Sequence, residues 1–207
     1  MTMTATEVEQ LKRAPATKSV MPEILHRWSP RSFSDRPVSP SDLETVFEAA
    51  RWAASSHNEQ PWRFLVGDRG SDTYQKILSI LMPFNQAWAR SAAVLILDAA
   101  RTRFSRDDSP NAVALYDLGA AAATLCYQAT ALGLHTHQMA GFERAAARTV
   151  FAVPDEYEFG AVIALGYQGE PSALTIPQML QQETSPRQRK ALSEFVFSAW
   201  NVPAQLE

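Results

Sequence analysis

A chain of 207 residues, 46% hydrophobic and 20% charged, has the size and balance of one globular domain with a proper core. Its net charge of −3 excludes the basic stripe of a nucleic-acid binder, though not a local basic pocket for one small anion. The single cysteine, Cys126, excludes an internal disulfide and reads as a small buried core residue. The start of the chain, MTMTATEVEQLKRAPATK, lacks a basic and apolar leader, and the uncharged run from Leu118 to Leu134 is too short and polar for a membrane span. A cytoplasmic chain is expected.

In chain order, residues 1–20 are polar and predict a loose arm or a short helix, ahead of a single domain over 21–207. Pro22 opens a short helix, PEILHRW, which stops at Ser29-Pro30 because a residue before proline is pushed out of helical geometry. The connector RSFSDRPVSP follows. Ser39 as N-cap, Pro40 at the first helical position and Asp42 in the first turn start a helix whose buried face carries Leu43, Val46, Phe47 and Ala50. It ends near Ala54 at the polar loop SSHNEQ, and Trp62 to Val66 reads as a strand closed by Gly67-Asp68.

A helix is predicted from Asp72 to about Leu81, then a short aromatic-polar segment at 84–88. SAAVLIL (91–97) has the continuous apolar character of a central strand, and 101–110 that of a charged, mobile loop. The longest helix spans 111–132 and is closed by Gly133; its run Ala120 to Ala123 presents a face without bulk. Leu134 to Met139 is a strand, Phe142 to Phe151 a helix and Tyr157 to Tyr167 a strand. The tail carries Arg187, Arg189 and Lys190, then LSEFVFSAW, too apolar to be left in solvent. About four strands among many helices, with no βαβ repeat, predict an α+β fold: one sheet flanked by helices.

Several chemistries are missing. There is no GxGxxG or GxxxxGK[ST] for a nucleotide, no GxSxG nucleophile, and no HExxH or Cys/His cluster for a metal. What remains is dispersed: Arg27, Ser29 and Arg31 on one connector, Arg187 and Arg189 far away, and between them the loop Ser55, Ser56, Asn58, Gln60, then Asn85 and the turn Ala140-Gly141. Cations for a phosphate, amides for ring edges and a glycine where backbone meets ring suit a phosphorylated heteroaromatic ligand. Each arginine taken singly also reads as a solvated surface charge, and the loop as ordinary turn chemistry.

The segments HRWSPRSF, AARWAASSHNEQPWRF, PFNQAWARSAAVLIL, ALGLHTHQMAGFE and AVIALGYQGEP, in this order, resemble the FMN-dependent nitroreductase family from about residue 22 onwards. SSxNxQPW is the most specific of them. The resemblance implies a mixed, mainly antiparallel sheet flanked by helices in an interlocked homodimer, with FMN at the interface. Arg27, Trp28, Ser29 and Arg31 match the family's N-terminal flavin segment. There Arg27, with Arg189 and Arg187, would hold the phosphate, and Arg31 would lie at the pyrimidine edge. Asn85 matches a donor to the ring's polar edge, and Ser55, Ser56 and Asn58 a loop contributed across the dimer. Gln138, Met139, Ala140 and Gly141 match the segment lying against the ring near N5.

The implied activity is ping-pong hydride transfer from NAD(P)H through flavin N5 to nitroaromatics or quinones, with no catalytic acid–base pair and no metal. Ala54, Trp88 and Ala140 depart from the commoner pattern and predict a more apolar substrate pocket. The alternatives are a specialised flavin enzyme of the same fold (dehalogenase-like, flavin-fragmenting or a biosynthetic oxidase) and a non-enzymatic flavin-binding protein. The apolar tail and the Ala-rich helix independently ask for a large partner surface.

Overall fold

A computed structural model describes residues 3–16 and 18–206. Residues 1, 2 and 17 of the expected arm, and residue 207 of the expected domain, lie outside the described residues. The core is a four-stranded sheet of β1 (Trp62–Asp68), β2 (Val94–Arg101), β3 (His135–Met139) and β4 (Tyr157–Gly166), in the order β1-β2-β4-β3. Every pairing in it is antiparallel, with Leu65 opposite Leu97, Leu97 opposite Val162 and Gln138 opposite Ile163.

The SAAVLIL run is continuous because β2 is central and covered on both faces. Leu95 and Leu97 point into one core with Tyr74, Ile77 and Phe159. Val94 and Ile96 point into the other with Val46, Leu118 and Leu125. Helices α3 (Pro40–Arg51) and α6 (Ala114–Ala131) cover the second face, while α4 (Asp72–Ile80), α5 (Pro83–Ala89) and α7 (Arg144–Phe151) belong to the first. Ala121, Ala122 and Ala129 of α6 are buried, so small side chains let this helix lie close to the sheet and to α3. Gly133 adopts φ +72°, the left-handed turn that closes α6.

Local details depart from expectation. Residues 84–88 fall inside helix α5, and Ser91 and Ala92 belong to its closing turn (Ala92 N to the Ala89 carbonyl, 3.0 Å). The strand therefore starts at Val94 and runs on to Arg101, where Arg101 N–H donates to the Pro61 carbonyl. The 101–110 loop is laced internally, with Arg101 and Arg103 both paired to Asp108 and a bridge between Arg103 and Pro110. A bulge between Leu97 and Ala99 turns the Asp98 carboxylate onto the Ala161 N–H (2.6 Å).

The N-terminal residues form helix α1 (Ala5–Lys12), started by a Thr4–Glu7 capping box and docked on the body through a fully buried Val8. Helix α2 is short (Pro22–His26), and α8 (Pro177–Glu183) leads into the tail. The tail ends in a hairpin of β5 (Phe197–Ala199) and β6 (Val202–Pro203) with Phe195, Trp200 and Val202 exposed. Among the described residues no helix is long and apolar enough to cross a membrane.

Candidate functional site

The segment after α2 is fixed from two sides. From α8, the buried Glu183 carboxylate accepts the backbone N–H of Arg31 (3.0 and 3.1 Å) and of Ser32 (3.1 Å). From β3, His137 Nδ1–H donates to the Pro30 carbonyl at 2.9 Å. Burial, with Arg31 and Arg27 adding to it, holds His137 at a pKa of about 4 against the pull of that carbonyl, so its ring is neutral at pH 7. Burial also raises the Glu183 carboxyl, opposed by the Ser32 and Arg31 N–H groups and the charges of Lys12 and Arg31. Trp28 is buried with its ring edge-on to His135 (centroids 6.0 Å apart).

Held this way, the segment presents its guanidiniums with little to bind. Among the described residues Arg27 Nη1 donates to Ser29 Oγ alone, at 3.3 Å. Arg31 Nε is buried without a partner. Arg187 comes in from the tail and donates Nη1–H to the carbonyls of Lys12 (3.0 Å) and Leu25 (2.9 Å), while its Nε is likewise buried and unpaired. Burial depresses the Arg187 pKa, and the nearby charges of Arg27 and Arg189 depress it further. Among the described residues none of Arg27, Arg31, Arg187 and Arg189 takes part in an ion pair. A cleft of about 780 Å³ beside Arg187 and Arg189 adds Lys18 and Lys190 to its lining and no acid. The carboxylate near Arg31, Glu183, is engaged by the Arg31 and Ser32 N–H groups, and like charges gathered beside it without an ion-pair partner form a place for an anion.

The outer edge of the sheet supplies the second part. At the end of β3, Gln138 and the following Ala140 are exposed, while the Met139 side chain turns into the core, so only its backbone faces outward. Gln138 Nε2 donates to Cys126 Sγ (3.3 Å), and burial pushes the Cys126 thiol up. Asn85 Nδ2 donates to the Gly141 carbonyl (3.0 Å), and a Cβ on Gly141 would stand 2.7 Å from that nitrogen. Glycine is what lets α5 approach this turn. Trp88, also from α5, packs its ring at a tilt of 40° against His137 (centroids 4.4 Å apart), with its Nε1 buried and unpartnered.

Ser55, Ser56 and Asn58 stand elsewhere. Ser55 Oγ accepts the Gln60 N–H, and Ser56 N–H donates to Asp117 at the start of α6 (both 3.0 Å). Asp117 and Cys126 are nine residues apart on one helix, about 13 Å at 1.5 Å per residue. A single chain thus divides the predicted residues into two groups, the loop at one end of α6 and the rest toward the other. His57, Asn58 and Gln60 all carry positive φ (53°, 55° and 50°), strain of a kind that gathers at functional loops.

Lys12, Glu183, His137 and Asp117 were missed by sequence reasoning. Their partners lie tens of residues away or more, and nothing in the local pattern marks a buried charge.

The model of the Nitroreductase family matches residues 24–167. The chain belongs to the nitroreductase family. A 15.4 kDa protein of Mycolicibacterium smegmatis is 36% identical over 152 residues, covering 68% of this chain and 99% of that protein. The Major NAD(P)H-flavin oxidoreductase of Aliivibrio fischeri is 30% identical over 95 residues, 44% of each chain. A crystal structure described as an oxidoreductase containing FMN matches with a TM-score of 0.83 at 34% identity, over 89% of this chain and 94% of the other. The nitroreductase fold is therefore shared well beyond the matched motifs.

Proposed function

We propose that this chain is a cytoplasmic FMN-dependent NAD(P)H oxidoreductase that reduces nitroaromatics, quinones or related acceptors in a ping-pong cycle. The observation that carries the reading is the convergence of Arg27, Arg187 and Arg189, from opposite ends of the sequence, with no carboxylate among them. The residues present fit FMN. Arg187 Nε and Arg31 Nε are buried donors awaiting an acceptor, and Gly141 makes room for the Asn85 amide at the turn after β3. When bound, FMN supplies a ring that takes a hydride at N5 and passes it on.

In this reading Arg27, Arg187 and Arg189 hold the phosphate dianion, with Ser29 beside them. Arg31 places a cation at the pyrimidine edge, where it favours the negative charge of the reduced state. Trp28 walls the ribityl side, Asn85 reaches the polar edge of the ring, and Gln138, Met139, Ala140 and Gly141 line its face. Ser55, Ser56 and Asn58 complete the site of the other subunit in a homodimer with FMN at the interface. The separation of that loop from the arginines along α6, and the exposed Phe195 and Trp200 of the tail, support such an arrangement. Residues 21–207 then act as one FMN-binding unit.

A visible absorption spectrum of the purified protein, repeated after adding NADPH without oxygen, tests this. A flavin spectrum that bleaches is expected. A colourless protein that takes up no added FMN would overturn the reading.

A further inference from the structure

We propose that helix α1 is part of the phosphate-binding apparatus, with the Lys12 carbonyl orienting Arg187 and the Lys12 ammonium tying the helix to α8. Both α1 and Arg187 lie outside the 24–167 region matched by the family model. The inference rests on the proposed FMN site and assigns it a further positioning element.

Three contacts converge on Lys12, and two more on the Leu25 carbonyl beside it. Arg187 Nη1 donates to the Lys12 carbonyl at 3.0 Å and to the Leu25 carbonyl at 2.9 Å. Lys12 Nζ donates to the Gln182 carbonyl at 2.6 Å, five residues before Arg187 on the same chain segment. The same ammonium lies over the Trp28 ring, 5.0 Å from its centroid. Ala14 N–H donates to the Leu25 carbonyl at 2.9 Å, closing the loop between α1 and α2. Lys12 is 6% exposed, which is unusual for a lysine and is tolerated here because its hydrogen bond and the nearby Glu183 carboxylate compensate the buried charge.

Two carbonyls on one guanidinium nitrogen set the plane of the fork. With Nη1 engaged by Lys12 and Leu25, the buried Nε–H and the remaining Nη2 edge stay free for a bidentate phosphate contact. Arg187 otherwise sits on an irregular segment, after α8 and ahead of the 3₁₀ turn Leu192–Glu194. Without α1 its long side chain would have to be ordered by the ligand itself, and ordering it then weakens binding. The anchoring of α1 is independent of that contact: Val8 is fully buried, and Ala5 N–H donates to Glu170 at 3.0 Å.

The test compares FMN with riboflavin, which lacks only the phosphate, by flavin fluorescence titration of the full chain and two variants. Lys12→Met keeps the aliphatic stem and removes the bond to α8, and Val8→Asp undocks the helix without touching any arginine. Both are expected to lower FMN affinity about tenfold or more, the scale of one charge-assisted hydrogen bond, and to leave riboflavin affinity unchanged. An equal fall for both flavins would make α1 a support of the fold only, and unchanged FMN affinity in both variants would make it idle. Either result overturns the inference while the proposed function stands. A wild-type chain that binds FMN no more tightly than riboflavin would instead overturn the phosphate site and this inference with it.

Discussion

Asp98 gives the most quantitative prediction. Its carboxyl is 1% exposed, on the central strand at the β2 bulge, and accepts the Ala161 N–H at 2.6 Å. Burial raises its pKa from 3.8 to about 6, against the lowering effect of the Ala161 and Gly160 N–H groups and Arg144. The folded protein therefore holds this proton more tightly than the unfolded chain does. Below about pH 3 the residue is protonated in both states and costs nothing. As pH rises towards 6 the unfolded chain ionises freely, the folded one resists, and stability is lost. At 1.36 kcal/mol per pH unit the difference reaches about 3 kcal/mol above pH 6.

Asp98→Asn removes this titration while keeping an acceptor for Ala161. Urea unfolding of the two proteins from pH 4 to pH 7 should show the stability difference, variant minus wild type, growing by about 2.4 kcal/mol. At about 3 kcal/mol per M that is a relative midpoint shift of about 0.8 M. The offset at pH 4 reflects the new amide N–H₂ group, which lacks a built partner, and does not enter the slope. Parallel pH curves for the two proteins would refute the reasoning.

Arg27→Ala combined with Arg189→Ala should yield a colourless, folded protein. Stoichiometric FMN retained in that variant, read from the 450 nm absorbance against protein, would rule out the phosphate assignment. Gly160→Ala should destabilise by at least 1–3 kcal/mol, because its Cβ would lie 2.5 Å from Asp98 Oδ1 and 2.8 Å from Leu118 Cδ2. A thermal midpoint within a degree of wild type would contradict that packing. The proposed homodimer predicts a wild-type dimer in light scattering at micromolar concentration and a shift towards monomer in Trp200→Glu, because Trp200 is 89% exposed in one chain. An unchanged dimer would place the interface elsewhere.

The elements were legible where their causes are local. Ser39-Pro40, the Gly133 turn and the apolar run of β2 announce themselves within a few residues, and each is found close to its expected place. Strand order was not legible. β1 pairs with β2 across α4 and α5, and β4 inserts between β2 and β3, choices made by contacts across the sheet that no local pattern records. The same limit governs the site. Arg27 and Arg31 could be picked out as unpaired cations on a connector. Nothing near Glu183 says that its carboxylate will close on N–H groups some 150 residues earlier. Nor does anything near Lys12 mark it as a buried lysine. Met139 shows the converse: the segment is where it was expected, but strand alternation turns that side chain into the core.

The uncompensated guanidinium group also bears on how long the protein survives. Three cations that repel one another when no anion is present make the unliganded fold the weaker one. An anion bound there at a hundred times its dissociation constant adds about 2.7 kcal/mol to the folded state. That changes the transiently unfolded population about a hundredfold, and with it the exposure to proteases. Cellular abundance would then follow the supply of the phosphorylated ligand, with surplus empty chains cleared first and no dedicated regulator required.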